Sequence, residues 1–99
     1  MTVKHIVIWT LDGDDSAKAE ASTKITTLLT SLVGKIDTIR TLTVGANGIW
    51  PEKNSDIAIV ADFDDFAGLE TYQDHPEHLA VAAQIRELVT GRTSIDYEY

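Results

Sequence analysis

The sequence predicts an α+β fold: a ferredoxin-like βαββαβ arrangement with an antiparallel four-stranded sheet and a split second helix. Two observations support this order of elements. Apolar residues alternate in the stretches predicted as strands, and they recur every three to four residues in the stretches predicted as helices. A third observation predicts the split: Pro76 lies within the second helical stretch, and the residue before a proline disfavours helical geometry.

The first half of the chain is predicted to form strand, helix and strand. Residues 3–11 are β-branched and aromatic, which is typical of a strand. An acidic turn at residues 12–16 supplies an N-cap, and a helix follows from Ala17. Gly34 stands where a left-handed C-cap residue is expected, and residues 36–44 are predicted as the second strand. The apolar stripe of this helix comprises Ala21, Ile25, Leu28, Leu29, Leu32 and Val33.

A longer loop and a clearer strand follow. The Gly, Asn and Pro content of residues 45–55 is typical of a loop. Residues 56–64 are predicted as the third strand. Asp64 and Asp65 are placed to cap a short helix, which should stop near His75.

The last helix and strand complete the order. Pro76 can begin a helix, because its missing N–H costs nothing at the first position. Gly91 is expected to close this helix. Its apolar stripe comprises Val81, Ala82, Ile85, Leu88 and Val89, and the final strand alternates through Thr93, Ile95, Tyr97 and Tyr99.

Length and composition exclude several classes of protein. The 99 residues are predicted to form one domain spanning residues 1–99, and the formal net charge is −8. A protein that binds a phosphate backbone or an anionic membrane surface needs clustered positive charge. No nucleic acid and no membrane is therefore expected as a partner. The absence of cysteine excludes disulfides, thiolate catalysis and Cys-ligated zinc. No apolar stretch approaches the ~20 residues of a membrane span, and no secretory signal is recognised, so a cytoplasmic protein is expected.

Two of the predicted strands are apolar on both faces. Ile6 and Ile8 point away from Val7 in the first strand, and Ala58 and Val60 leave the second face of the third strand apolar. The helices of this fold cover only one face of the sheet, and soluble monomers rarely expose an apolar patch of that size. The sequence therefore predicts a homodimer packed sheet against sheet; a monomer with an apolar sheet face is the alternative.

Histidine and tyrosine side chains are the candidates for chemistry. Helical spacing directs His78 along the apolar stripe toward the sheet, and Tyr72 lies just before the helix break. If the helices pack on the strand face that carries His5, then His5 and His78 approach each other beside a pocket roofed by Tyr72. A neutral imidazole in such a pocket can act as a general base.

Structural roles explain the same residues. A histidine on an apolar stripe is more often a hydrogen-bonded packing residue, and Tyr72 fits a core position with its hydroxyl on a backbone carbonyl. His75 before Pro76 can simply cap or end a helix. The pair His75 and His78 has no obvious third metal ligand, and the acidic clusters are explained by helix capping. No metal and no cofactor is therefore predicted.

Three segments resemble a known family: VKHIVIW, DIAIVADFDD and YQDHPEH. Together they are similar to the stress-responsive A/B barrel domain (Dabb) family over nearly the whole chain. The most specific element is Tyr72-x-x-His75-Pro76-x-His78, preceded far upstream by His5. The resemblance implies a dimeric α/β barrel, in which two ferredoxin-like protomers pack their sheets face to face.

The resemblance implies the fold and the dimer better than a reaction, because most family members have no established activity. The leading expectation is a small homodimer of unestablished role with a pocket for a small apolar ligand between sheet and helices. The olivetolic acid cyclases of plants, a polyketide-cyclase branch of the family, perform an aldol condensation without metal or cofactor. Similarity to them implies His78 as general base, Tyr72 as the orienting group and His5 as an assisting residue. The first helix and residues 47–54 look unlike that branch.

Two further classes remain as alternatives. One is a binding or structural protein in which the dimer itself, rather than any chemistry, is what the cell uses. The other is the group of cofactor-free monooxygenases that share the barrel architecture, which ranks last because this chain lacks their Asn-Trp-His pocket pattern.

Overall fold

The computed structural model describes all 99 residues and has the predicted order of elements. The elements are β1 (Val3–Leu11), α1 (Asp15–Thr30), β2 (Thr41–Ala46), β3 (Ile57–Phe63), α2 (Phe66–Asp74), α3 (Pro76–Arg86) and β4 (Val89–Glu98). The strands form one antiparallel sheet in the order β2-β3-β1-β4, and the helices pack on one of its faces. This is the predicted ferredoxin-like α+β fold. No helix combines the length and the apolar character needed to cross a membrane.

Acidic residues and a histidine begin the three helices. The Asp14 carboxylate accepts a hydrogen bond from the Ala17 amide (2.9 Å), and the Asp65 carboxylate accepts one from the Gly68 amide (2.7 Å). Both contacts satisfy amide groups that have no partner inside a helix, and they confirm the caps predicted in the acidic turn and at Asp65. Asp64, which was also predicted as a cap, binds the Arg40 guanidinium instead. His75 has an extended backbone (ψ 135°), as expected before a proline, and this separates α2 from α3.

Strand β1 lies in the middle of the sheet, and its two faces have different surroundings. Its residues at alternate positions from Val3 to Leu11 are buried under the helices. Those facing the helices are Val3, His5, Val7, Trp9 and Leu11, and their neighbours on β3 are Ile57, Ile59, Ala61 and Phe63. Ile25 and Leu29 of α1 and Val81 and Ile85 of α3 complete this core. The predicted apolar faces of β1 and α1 therefore form one buried layer.

The segment predicted as the start of the second strand forms turns instead. Helix α1 ends at Thr30, and a hydrogen bond from the Ile36 amide to the Leu32 carbonyl (3.1 Å) shapes the turns that follow. The prediction of a strand from residue 36 is therefore wrong, and β2 begins at Thr41. Ile36 and Ile39 are buried within the turn segment, so their spacing reflects packing of turns rather than alternation.

Gly34 adopts the predicted left-handed conformation (φ +90°), but it lies in these turns and does not cap α1. The helix ends earlier because Ser31 is already its C-cap residue.

The end of the last helix also differs from the prediction. Helix α3 stops at Arg86, because the Leu88 amide donates to the Ile85 carbonyl (2.9 Å) in a tighter turn. Val89 already pairs with Leu11 of β1, so the expectation that Gly91 closes the helix is wrong. Gly91 lies inside β4 opposite Thr10, next to a shift in register.

The second face of the sheet is open and largely apolar at its centre. Ile6 pairs with Ile95 across β1 and β4, and Ile6 also pairs with Val60 of β3. Ile8 is 38% exposed and Ile95 is 58% exposed. The predicted two-faced character of β1 and β3 is therefore present, and nothing within the chain covers this face.

A polar cluster closes one end of the open face. Asp62 accepts hydrogen bonds from the hydroxyls of Thr41 and Tyr99, and its carboxylate forms an ion pair with Lys4 (2.9 Å). These contacts, that with Thr41 first, lower the pKa of Asp62 to about 2. The Lys4 ammonium also lies 4.9 Å from the centre of the Tyr99 ring, so the end of the chain is held against β1.

We expect Gly13→Ala to lower the free energy of unfolding by about 1–3 kcal/mol. Gly13 has φ +95°, and an added Cβ would lie 2.7 Å from the Cβ of Ala17. Gly48→Ala is the matched control, because Gly48 has no positive φ and open space around its Cα. Urea unfolding at one fixed protein concentration measures both variants. Equal stability of the two variants would contradict the strain at Gly13.

Candidate functional site

A cavity of about 500 Å³ lies between the sheet and helix α3. Its inner wall is apolar and includes Val7 and Trp9 of β1 and Val81 and Ile85 of α3. Both volume and lining are typical of small-molecule sites in proteins. The edge strand β4 borders the cavity, and its residues 89–92 contribute to the lining, Arg92 among them as an exposed residue.

The three residues predicted as a site come together at this cavity. The Tyr72 ring centre lies 5.9 Å from that of His5 and 4.4 Å from that of His78. His5 comes from the middle strand, Tyr72 from the end of α2, and His78 from the first turn of α3. All three side chains line the cavity. The phenol therefore packs against both imidazoles, and the break at Pro76 sets the geometry between Tyr72 and His78.

His78 is held in one orientation by the main chain. Its Nδ1 lies 3.0 Å from the carbonyl oxygen of Gln73. Because a carbonyl oxygen can only accept, Nδ1 carries the proton, and in the neutral ring Nε2 has the free lone pair. Burial lowers the pKa of His78 below its usual 6.5, and the charges of His5, Arg92 and Arg86 act in the same direction. At neutral pH the ring is therefore uncharged and able to accept a proton.

Tyr72 is a neutral hydrogen-bond donor. It is among the largest fully buried side chains, and burial raises the pKa of its phenol to about 12. Its ring also packs against Phe63, with centres 5.1 Å apart. The hydroxyl therefore keeps its proton over the physiological range, and the ring is fixed on several sides.

A carboxylate orients His5. Its Nδ1 lies 2.5 Å from Oδ1 of Asp96, which faces it across the β1–β4 pair. Since a carboxylate accepts, Nδ1 donates the hydrogen bond. His5 is the buried polar residue of the core, at 2% exposure, and Asp96 satisfies it there.

His75 has a separate, structural role. Its Nδ1 accepts a hydrogen bond from the Glu77 amide (3.1 Å), which makes it the N-cap of α3. It does not line the cavity. No group of three or more His, Asp and Glu side chains is placed to hold a metal ion. The capping interpretation of His75 is thus confirmed.

Sequence reasoning missed three charged residues of this region: Arg86, Arg92 and Asp96. Arg92 and Asp96 occupy β4 positions that alternate with Thr93, Ile95 and Tyr97, so the alternation places them together on the face opposite Ile95. That signal was available, but it does not tell which of the two faces lies under the helices. Their proximity to His5 and His78 depends on the register of β4 against β1, which joins residues far apart in the chain.

The sequence agrees with one known family. The family model of the stress responsive A/B barrel domain (Dabb) matches residues 3–99. The chain therefore belongs to the Dabb family. No curated protein sequence matches it.

Several solved structures are similar over almost the whole chain. A dimeric ferredoxin-like protein of unknown function from Bacteroides fragilis NCTC 9343 is 32% identical, with a TM-score of 0.89 over 99% of this chain and 96% of that one. A dimeric ferredoxin-like protein of unknown function from Thermobifida fusca YX is 28% identical, with a TM-score of 0.85 over 100% and 92%. A hydroxynitrile lyase from Passiflora edulis has a TM-score of 0.82 over 97% and 91%, and its 16% identity concerns the fold alone.

We expect the His78 imidazole to titrate below pH 6.5, and NMR of the ring protons measures this directly. Its lowered pKa also makes stability depend on pH. Between the lowered value and 6.5 the unfolded chain binds more protons than the folded one, so the free energy of unfolding falls as pH decreases through this window. His78→Gln should reduce that slope. A His78 titration at or above pH 6.5 would contradict the neutral base.

Proposed function

We propose that the chain is a homodimer in which each protomer has a small-molecule cavity, and that His78 removes a proton from a carbon next to a carbonyl in that cavity. The orientation of His78 supports this proposal most strongly. Its Nδ1 is bound to the Gln73 carbonyl, which leaves Nε2 as the basic atom of a half-buried, neutral ring. A base of this kind works at neutral pH without needing deprotonation first.

The proposed step is a proton transfer that needs no co-reactant. The C–H bond next to the carbonyl breaks, its proton moves to Nε2 of His78, and its electron pair forms an enolate. The negative charge develops on the carbonyl oxygen, where the Tyr72 hydroxyl can donate a hydrogen bond. The enolate can then attack a second carbonyl, as in an aldol closure, or take a proton back.

His5 would act through Tyr72 in this proposal. It packs edge-on against the phenol, and Asp96 fixes its ring by the short hydrogen bond at Nδ1. His5, which is itself buried, therefore restricts the position of the Tyr72 ring from the sheet side. A fixed donor is more effective at a developing charge than one that must reorient.

Binding without chemistry is the second candidate function. The apolar inner wall of the cavity, with Val7, Val81 and Ile85, favours retention of a small apolar ligand. The two candidates differ in one respect: only the first needs a titrating base in contact with the ligand.

The dimer is supported by the open face of the sheet. Ile6, Ile8 and Ile95 form its apolar centre, and no element of the chain covers them. Burying such a face against a second copy removes apolar area from water on both copies at once. The similar proteins from Bacteroides fragilis and Thermobifida fusca are both described as dimeric, which supports the same arrangement.

We expect the protein to accelerate deuterium exchange next to the carbonyl of phenyl alkyl ketones of increasing chain length, followed by NMR in D₂O. His78→Ala should slow the exchange by at least about a hundredfold, and Tyr72→Phe by about ten- to a hundredfold. The rate should rise with pH as His78 loses its proton and level off near neutrality, because only the neutral ring accepts a proton.

His75→Ala is the matched control for this experiment. It removes an imidazole that caps α3 outside the cavity, and it should leave the exchange rate unchanged in folded protein. Melting temperatures establish that each variant is folded. Exchange no faster than in buffer, or equal rates in His78→Ala and the unmodified protein, would contradict the proton-transfer proposal and favour binding.

We expect Ile95→Glu to give monomers in sedimentation at micromolar concentration, because it places a charge at the centre of the apolar sheet face. Val33→Glu is the control, since Val33 is also about half exposed, at 52%, but follows α1 away from the sheet face. The unmodified protein and the control should sediment as dimers. A monomeric unmodified chain would refute the homodimer.

A further inference from the structure

Some of the positively charged side chains form ion pairs, and others line the cavity without an ion-pair partner. The chain has eight Lys and Arg residues against sixteen Asp and Glu. Four of the eight form ion pairs: Lys4, Lys18, Lys35 and Arg40. The other four, Lys24, Lys53, Arg86 and Arg92, form none, although the chain has twice as many carboxylates as cationic side chains. Of these four, the two arginines line the cavity that contains His78, and the two lysines do not.

The two arginines come from separate elements that meet at the cavity. Arg86 is the last residue of α3, and Arg92 lies on β4 opposite Trp9. Both are exposed residues, so their guanidinium groups are at the open side of the cavity rather than in its apolar interior. The only side-chain partner of Arg92 is the hydroxyl of Ser94, at 3.2 Å. Both charges also add to the effect of burial on the pKa of His78, which indicates that they act across the cavity.

Unpaired guanidinium groups beside an apolar cavity are suited to a particular ligand chemistry. A guanidinium presents N–H donors in a planar fork that matches a carboxylate, and such charge-assisted hydrogen bonds are stronger than neutral ones. An apolar interior with charged groups at its opening takes a molecule with an apolar body and one ionised end. In a protein of net charge −8, a locally positive site of this kind also attracts anions that the rest of the surface repels.

We propose that the cavity selects a small keto acid: its carboxylate binds Arg86 and Arg92 at the opening, and its carbonyl lies beside His78 and Tyr72. This rests on the proposed function, since it names the class of substrate for the same site. In this arrangement the two arginines also position the substrate for the reaction. By binding the ionised end of the molecule, they hold the carbon next to the carbonyl at the base.

Two probes of nearly the same shape test the charge preference. One is β-benzoylpropionate, which has a phenyl ketone and a carboxylate, and the other is its neutral amide, β-benzoylpropionamide. Calorimetry or NMR titration at low salt should give the carboxylate an affinity at least about tenfold higher than that of the amide. The preference should shrink toward about 1 M salt, where exposed charges are largely screened.

Variants of the two arginines test whether these residues cause the preference for the carboxylate over the amide. Arg86→Gln and Arg92→Gln should each reduce binding of the carboxylate several-fold and leave binding of the amide unchanged, and Arg92→Lys should retain part of the preference. Lys24→Gln is the matched control, because Lys24 is exposed on α1, forms no ion pair and does not line the cavity. Because all of these positions are exposed, the variants should fold, and their melting temperatures verify it.

The outcomes separate this inference from the proposed function. Equal affinity for the two probes, no binding of the carboxylate, or a preference that survives in the double variant Arg86→Gln and Arg92→Gln would overturn the keto-acid inference. Exchange of phenyl ketones that depends on His78 would still stand in those cases. Conversely, an arginine-dependent preference without any exchange would support selection of an organic carboxylate and contradict the proton transfer.

Discussion

The position of β1 between two neighbouring strands, with its helix-facing side chains buried, is the constraint on which the architecture depends. Strand β1 pairs with β3 on one side and with β4 on the other, and its side chains toward the helices are almost all apolar. On the open face its apolar residues are Ile6 and Ile8. The helix side is closed by α1 and α3 through Ile25, Leu29 and Val81. His5 is the polar exception on that side. It is tolerated because Asp96 on the neighbouring strand satisfies its ring, and the site is built around this one buried polar position.

The break between α2 and α3 is the second determinant of the site. Had the helix continued through His75, Tyr72 and His78 would be six residues apart on one regular helix and would point to different sides of it. The extended backbone at His75 instead starts a new helix, with the imidazole of His75 as its cap. This turn brings the Gln73 carbonyl within 3.0 Å of Nδ1 of His78 and packs the phenol of Tyr72 against the ring. A single X-Pro step therefore sets the tautomer of the proposed base.

Local signals in the sequence were sufficient for most of the fold. The alternation in β1 and β3, the aspartates that cap α1 and α2, and Pro76 each act over a few residues, and all appear in the structure as predicted. The element ends were mispredicted where apolar residues pack in turns. Ile36 and Ile39 are buried without being in a strand, and Leu88 and Val89 continue the apolar spacing of α3 after the helix has ended. Hydrogen bonds in the turns determine where these elements begin and end, and the spacing of apolar residues does not indicate those hydrogen bonds.

The members of the site were predictable only in part, because some of them depend on contacts between distant parts of the chain. His5, Tyr72 and His78 could be grouped from helical spacing and strand faces, because each lies on an apolar stripe that must point to the core. Arg92 and Asp96 could not be assigned to that group, since their neighbours are set by pairing between the two ends of the chain. The position of Arg86 depends on where α3 ends. Long-range register and helix termination are the features that a single sequence encodes most weakly.

The alternation along β4 has a consequence for how this chain can vary. Odd and even positions of this strand serve different surfaces: Arg92, Ser94 and Asp96 face the cavity side, whereas Thr93, Ile95 and Tyr97 face outward on the open side. Removing or adding one residue between Arg92 and Ile95 would exchange the two sets beyond that point, turning Ile95 toward the cavity side and Asp96 onto the apolar surface. Substitutions at single positions can alter either surface alone. Changes in the length of β4 should therefore be tolerated only in steps of two residues, or outside the paired segment.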